Sequence, residues 1–382
     1  MARIEADVIS SETVRAVFKA FNDAGRNVLL VGGCVRDALL GKVATDIDMA
    51  TDVLPDDVLA IADAAGITAV PLGIEHGTVR LVVSGKPVDI TTFRSDIETD
   101  GRHATVSFRA QIREDAARRD FSINALYAQA DGTVVDPLGA LADLDEGRVR
   151  FIGDPGDRIR EDYLRILRFF RFHAAYGHPD FPIDADAVAA SAALSSGIDR
   201  LSRERITAEL EKLLSIASPV SAVRAMEKAG VLERCLPGAG CTVFERLVAM
   251  ERALELSPDW LSRLAALGGK LTRIRLSRTE SRRIEAIRKL AKGNSTPAES
   301  AYRFGRENAT GAALLRTART GRRADPILLR EIARGSVARF PLRAADLQPA
   351  LSGRALGDRL RELETCWIES GFILSRSQLL DR

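Results

Sequence analysis

No stretch of about eighteen uncharged apolar residues occurs in the 382-residue sequence, which excludes an ordinary transmembrane helix. The N-terminus carries charge from the outset (Arg3, Glu5, Asp7) and no apolar run, so a secretory leader is not expected. Cysteine is scarce. Cys34, Cys235, Cys241 and Cys366 form neither a Cys-x-x-Cys pair nor a Cys/His metal pattern, so a disulfide framework is excluded and a reducing, cytoplasmic compartment is expected. His76, His103, His173 and His178 are too scattered to build a His-Asp phosphohydrolase centre. Neither Gly-x-Gly-x-x-Gly nor Gly-x-x-x-x-Gly-Lys-Ser/Thr is present, so the dinucleotide and Walker phosphate loops both fail. There is no fixed-period repeat and no low-complexity tract.

What is present is an ordinary globular composition, 46% hydrophobic and 28% charged, in a chain too long for one core; two or more domains are expected. The net charge of +2 conceals an asymmetry. Residues 1–150 hold 24 acidic and 16 basic side chains, whereas residues 261–350 hold 20 basic and 7 acidic. Solvated helix faces normally mix the two signs. An acidic front and so basic a rear suggest that chemistry and nucleic-acid binding are separated along the chain.

Ser11 is placed to cap a helix on which Val14, Val17, Phe18 and Phe21 recur, and Gly25 ends it. NVLLVGG (27–33) reads as a buried strand entering a glycine turn, followed by a short helix stopped by Gly41 and a short strand holding Asp46, Ile47 and Asp48. Pro55 opens a helix that runs to Gly66. Two β-rich runs follow, the second starting at His76 and folding back at Ser84-Gly85. The polar segment Ser95–Ser107 is expected to be a mobile loop, Arg119–Tyr127 a helix, and Asp131-Gly132 a turn between short strands. After Gly147 the texture becomes helical to the end, so the fold class is an α+β front followed by an all-helical rear.

The most informative segment is LLVGGCVRDALLGKVATDIDMATD (29–52). Asp46 and Asp48, two residues apart on a strand, would project from one face, and their mutual repulsion is relieved by a hard divalent cation, Mg²⁺ being favoured for phosphate chemistry. The Gly32-Gly33 turn opens a helix towards an anion, and Arg36 either reaches the same anion or pairs with Asp37. Cys34 in that turn reads as a small buried filler. Asp89 is either a third metal-facing carboxylate or one half of an ion pair in the sheet. Arg118, Arg119 and Asp120 precede Asn124; an arginine there suits a phosphate, and Asp120 suits a helix cap. In EDYLRILRFFRF (161–172), Asp162, Arg165 and Arg168 fall on one helix face. They form either an intrahelical salt bridge or a recognition edge. A carboxylate beside a guanidinium matches the amine and ring acceptor of cytosine or adenine, and leaves buried groups unpaired against uracil or guanine.

Together these segments, with HGTVRLVV, VDITTFRSD, RRDFSINALYA, DPLGALADLDEGRVRFIGDP and LSRERITAELEKLL, resemble the class II tRNA nucleotidyltransferase/poly(A) polymerase family over Val28 to Leu214. The resemblance implies a polymerase-beta-like nucleotidyltransferase head followed by a helical neck, body and tail. The corresponding boundaries are 1–25 (N-terminal helix), 26–147 (catalytic head), 148–225 (neck with the nucleotide-selecting helix) and 226–382 (body and tail, tRNA-binding). It implies catalysis with two Mg²⁺ ions at Asp46 and Asp48, and Asp89 is expected from its own strand position to complete the catalytic set. The resemblance implies a nucleotide site with Gly33, Arg36 and Arg119, to which the reading of the residues adds Gly32, Asp120 and Asn124 as expected members. It also implies that Asp162, Arg165, Arg168 and Arg171 form the protein template that selects CTP or ATP. The partners so implied are CTP, ATP and the 3′ acceptor end of tRNA, with no membrane and no obligate protein partner. Within the family the GGxVRDxLLG and DIDxAT patterns resemble the CCA-adding type, and no basic GRRF segment of the bacterial poly(A) polymerases is found. The short Ser95–Ser107 loop leaves a CC-adding enzyme open, the poly(A) polymerase shares the chemistry, and a non-catalytic RNA-binding module would need no acidic pair.

Overall fold

A computed structural model describes residues 2–5, 7–44, 46–74, 77–100, 103–108, 111–178, 181–323, 325–348 and 350–382. His76, Gly101 and Arg102 thus lie outside the described residues. The chain forms two compact units, Met1–Leu213 with Ser221–Cys235, and Leu214–Val220 with Leu236–Arg382.

The first unit opens with helices α1 (Asp7–Ser10) and α2 (Glu12–Asp23). Ser11 caps α2 by accepting the Val14 N–H at 3.3 Å, and Val14, Val17 and Phe21 bury one stripe of it. The strands are β1 (Val28–Val31), β2 (Asp48–Thr51), β3 (Thr68–Pro71), β4 (Thr78–Val83), β5 (Lys86–Thr92), β6 (Ser95–Asp100), β7 (His103–Ser107), β8 (Tyr127–Ala128) and β9 (Val134–Val135). A mixed sheet has the order β3-β4-β5-β2-β1-β8-β9, and β6 pairs with β7 apart from it. Strict alternation buries Val79, Leu81 and Val83 on β4. The β4–β5 turn falls on Ser84 and Gly85, both at positive φ (50° and 76°), the geometry of a two-residue hairpin loop. The registers matter for the chemistry. Asp89 on β5 stands beside Asp48 on parallel β2 and opposite Arg80 on antiparallel β4, so these three residues form a row across the sheet.

Between the strands lie α3 (Gly33–Leu39), α4 (Pro55–Ala64) and α5 (Ile112–Ala117). Pro55 sits in the first turn of α4, where its missing N–H removes no helical bond. The helical part of this unit comprises α6 (Leu141–Asp145), α7 (Pro155–Glu161), α8 (Leu164–Tyr176), α9 (Ala185–Ala193), α10 (Arg203–Leu214), α11 (Val220–Lys228) and α12 (Val231–Cys235).

Four expectations need correction. Within the expected loop, Ser95–Asp100 and His103–Ser107 pair as antiparallel strands; the β-branched residues Ile97, Thr99, Thr105 and Val106 favour strand over the polar composition. Arg119–Tyr127 is not a helix. It contains a single 3₁₀ turn, Ser122–Asn124, and then enters β8. Residues 121–128 are buried throughout, and an uninterrupted buried run has no face for periodicity to reveal. Strand β2 starts at Asp48, so Asp46 precedes it. Finally, 161–172 is not one helix: Asp162 is extended (φ −154°, ψ 108°), and its carboxylate accepts the Leu164 N–H at 3.1 Å as α8 begins.

The second unit is helical among its described residues, including α13 (Cys241–Ala253), α14 (Trp260–Leu267), α15 (Arg278–Lys292) and α16 (Pro297–Phe304). At its centre the Arg263 side chain, 2% exposed, pairs with buried Glu251 at 2.7 Å and donates to the carbonyls of Leu214 (2.8 Å) and Ile216 (2.5 Å). A second cluster gathers Leu342, Leu363, Trp367, Ile368 and Leu379. No helix among the described residues is long and apolar enough to cross a membrane.

Candidate active site

The first unit holds a cavity of about 570 Å³ where β1 ends, α3 begins and α8 passes. Its wall gathers Gly32, Gly33, Arg36, Asp46, Asp48, Arg119, Asp120, Asn124, Arg165, Arg168 and Arg171, residues that lie up to 139 positions apart in sequence. A larger cavity of about 850 Å³ in the same unit is lined by Phe18, Leu29, Phe93 and Val135 among others, without such an array of guanidinium groups facing paired carboxylates. Of the sequence-selected residues, Asp89 and Asp162 are absent from the lining of the charged cavity.

The carboxylate side is electrostatically unfavourable by itself. Asp48 keeps access to solvent, yet burial raises its pKa above the ordinary carboxylate value and the neighbouring Asp89 raises it further, with Asp46 adding and Arg119 opposing. Asp89 itself is neutralised by Arg80 in a bidentate pair (2.7 and 2.8 Å), the ion pair within the sheet that its strand position allowed. Asp46 and Asp48 remain as hard oxygen donors, a set that fits Mg²⁺, which characteristically takes one or two carboxylates and completes its shell with water and phosphate. No group of three or more His, Cys, Asp or Glu suited to a metal occurs among the described residues. Cys34, beneath the pair, is the buried filler expected: its thiol donates to the Val31 and Asp48 carbonyls, and burial pushes its pKa up to about 11.

The guanidinium side is a connected network. Arg36 pairs with Asp37 at 2.9 Å and also donates to the Asn124 side-chain oxygen at 2.5 Å. Asn124 in turn donates to Asp120 at 3.0 Å, and Asp120 accepts from Arg168 at 2.7 Å. Arg171 donates to Glu209 at 2.6 Å, and Arg165 binds Glu161 and the Arg158 carbonyl. Burial opposes the charge on Asp120, but Arg168 and Asn124 outweigh it and hold the pKa below the usual range. Asp120 also takes the Phe121 N–H at 2.9 Å while it anchors Arg168, but it is not the helix cap its position suggested: the N-cap of the 3₁₀ turn is Phe121, which has no side-chain cap bond.

Several partners escaped the sequence reading. Asp115 on α5, 1% exposed at its side chain, holds both Arg118 (2.7 Å) and Arg119 (3.1 Å) and accepts the Tyr127 hydroxyl at 2.7 Å. The i, i+3 and i, i+4 spacing of Asp115 to those arginines was the available signal. Glu209 and Arg205 sit on α10, and Arg205 binds Asp162 at 2.7 Å; no local rule connects residues 43 positions apart.

Gly32 has φ 75° and ψ −126°, a region essentially confined to glycine, and a β-carbon there would meet Arg119 Nη1 at 3.5 Å. Gly32→Ala is therefore expected to destabilise the fold by about 1–3 kcal/mol, read as a lower midpoint in thermal or urea unfolding. An unchanged midpoint would refute the strain.

Residues 28–150 match the family described as "Poly A polymerase head domain", and residues 180–240 match "Probable RNA and SrmB- binding site of polymerase A". Over 371 residues the chain is 32% identical to "CCA tRNA nucleotidyltransferase 1, mitochondrial" of Danio rerio, covering 92% of this chain and 85% of that protein. It is 37% identical over 241 residues to the "CCA-adding enzyme" of Levilactobacillus brevis, covering 62% and 59% respectively. Its fold is similar to the crystal structure of the Bacillus stearothermophilus CCA-adding enzyme in complex with CTP, with TM-score 0.74, 27% identity and coverage of 94% and 93%.

Proposed function

The chain belongs to the CCA tRNA nucleotidyltransferase family, and we infer from that membership and from the chemistry of the cavity that it adds C, C and A to the 3′ end of tRNA. The nucleotides come from CTP and ATP, no nucleic-acid template is used, and pyrophosphate is released. The observation that carries this reading is the convergence of Asp46 and Asp48 with the arginines of α3 and α8 on one cavity.

In this reading the terminal 3′-hydroxyl of the tRNA attacks the α-phosphate; the new ester bond forms as the bond to pyrophosphate breaks. Enzymes of the family work with a divalent metal, for which we assign Mg²⁺ to Asp46 and Asp48; when bound it acidifies the attacking hydroxyl and offsets phosphate charge. Asp89 supports that pair from the adjacent strand while it stays engaged with Arg80. Arg36 and Arg119 grip the triphosphate, Gly32 and Gly33 leave room for it, and Asp120 and Asn124 hold Arg36 and Arg168 in place. We assign base selection to Asp162, Arg165, Arg168 and Arg171. Each of these has a protein partner in the structure, so an incoming base must exchange with Arg205, Glu161, Asp120 or Glu209. That exchange favours a base able to replace every bond it breaks, since a buried unpaired group costs about 1–3 kcal/mol.

We further propose the divisions 1–25, 26–147, 148–225 and 226–382 as N-terminal helix, head, neck, and tRNA-binding body and tail. A reducing cytoplasmic site fits the four free cysteines.

Incubating the protein with tRNA lacking its 3′ end, with CTP alone, ATP alone and both, tests the function. CC from CTP and CCA from the mixture are expected; an A-only tail would mark a poly(A) polymerase, and no extension would leave an RNA-binding module. For selection, Asp162→Asn keeps a side chain that can still accept the Leu164 N–H but changes the acceptor pattern. It is expected to raise UTP and GTP misincorporation relative to CTP and ATP by about 10- to 100-fold. Unchanged selectivity in competition assays would remove Asp162 from the template.

A further inference from the structure

Arg36 presents an unusual environment for a phosphate-binding arginine. It is 5% exposed, and its guanidinium lies 4.0 Å from the centre of the Tyr176 ring and 5.3 Å from that of Phe172. The Tyr176 hydroxyl accepts from Arg36 Nη2 at 2.6 Å, and the two rings stack at 5.7 Å. Phe172 and Tyr176 are one turn apart on α8 and so share a face. The same Phe172 ring has Arg171 at 4.2 Å and Arg168 at 5.2 Å. One aromatic pair therefore touches the arginine assigned to the triphosphate and two assigned to the base.

The physical consequence lies in how a ring holds a cation. A carboxylate fixes a guanidinium by consuming its N–H groups and cancelling its charge. A ring face attracts the cation through its quadrupole without itself consuming N–H groups, although the Tyr176 hydroxyl takes one here. Of the five N–H donors of Arg36, two meet Asp37, one meets Asn124 and one meets Tyr176, which leaves one on Nη1 for a phosphate oxygen. The stack restricts the remaining rotamer freedom of a side chain that would otherwise pay for ordering when nucleotide binds.

We propose that Phe172 and Tyr176 are positioning residues for nucleotide transfer, holding Arg36 against α8 so that the grip on the triphosphate and the reading of the base are set by one rigid face. The proposal rests on the nucleotidyltransferase reading of the cavity. It predicts effects on nucleotide binding that are shared by CTP and ATP, because the triphosphate is common to both.

The test uses the full chain, tRNA lacking its 3′ end, and CTP and ATP titrated separately. Tyr176→Leu is expected to raise KM for both nucleotides about tenfold with kcat within about threefold. Tyr176→Phe, which keeps the ring, should stay within about threefold of the parent. Tyr176→Met replaces leucine if that variant does not fold. A double-mutant cycle with Arg36→Lys separates positioning from mere packing: if Tyr176 acts through Arg36, its loss adds little once Arg36 is gone. Additive losses, or a folded Tyr176→Leu protein with both KM values within twofold of the parent, overturn the proposal. Failure of the unsubstituted protein to extend tRNA would instead overturn the functional reading beneath it.

Discussion

Replacing Asp46 by alanine is expected to lower the rate of nucleotide incorporation by about a thousandfold or more, while tRNA affinity stays within about threefold. Asp46 and Asp48 are the only carboxylates assigned to the divalent cation, and the charge stabilisation such an ion gives a phosphoryl oxygen is several kcal/mol; about 4 kcal/mol corresponds to that factor. Single-turnover incorporation of labelled CTP gives the rate, and filter retention of tRNA gives the affinity. Incorporation within about tenfold of the parent would contradict the metal assignment. A companion variant separates charge from catalysis. The raised pKa of Asp48 means that its ionised form is disfavoured in the fold, by burial first and by Asp89 second. Asp48→Asn should therefore be inactive yet have a higher unfolding midpoint than the parent in metal-free buffer at neutral pH, a trade of stability for function.

Asp115→Ala should destabilise the first unit by about 3–5 kcal/mol, because it strands two half-buried guanidinium groups and a buried phenol. Burial works against the Asp115 carboxylate, but Arg119, Arg118 and Tyr127 outweigh it and hold its pKa below the ordinary value. A carboxylate lowered in this way binds its proton less readily folded than unfolded. Its stabilisation is complete above the ordinary carboxylate pKa and is lost as the pH falls through the lowered folded value. Asp120 acts in the same direction. The parent should accordingly lose stability on acidification below the ordinary carboxylate range, and Asp115→Ala should show a shallower acid limb. Urea unfolding as a function of pH measures both; equal acid limbs would show that Asp115 is not the group responsible.

Much of the head was legible from residue order. Ser11 announced its helix through an oxygen three residues from the N–H it accepts, and Ser84-Gly85 announced a hairpin because both positions must reach positive φ. The acidic pair and the glycine turn proved to share a cavity, as their order suggested. The failures are equally physical. Residues 121–127 of the Arg119–Tyr127 segment are buried throughout, so their apolar spacing carried no directional information. The apolar rhythm of 161–172 concealed a break at Asp162, whose side chain competes for a backbone N–H. Ser95–Ser107 looked like a loop because charge and polarity outweighed its β-branched residues in the reading.

What residue order determined by itself is everything that a rule spanning a few positions can enforce: caps, turns, the strand–glycine–helix sequence, the acidic pair and the change to helical texture after residue 147. Only the tertiary structure decided the long-range partners. Arg168 reaches Asp120 across 48 positions, Arg171 reaches Glu209 across 38, and Arg36 reaches Tyr176 across 140. Local propensity acts between neighbours in the chain, whereas ion pairs, ring contacts and the neutralisation of one carboxylate rather than another depend on which surfaces packing brings together. The spacing of EDYLRILRFFRF could therefore suggest a set of selecting side chains and the i, i+4 pair of Glu161 with Arg165, but not that Asp162, Arg168 and Arg171 would already be held by Arg205, Asp120 and Glu209.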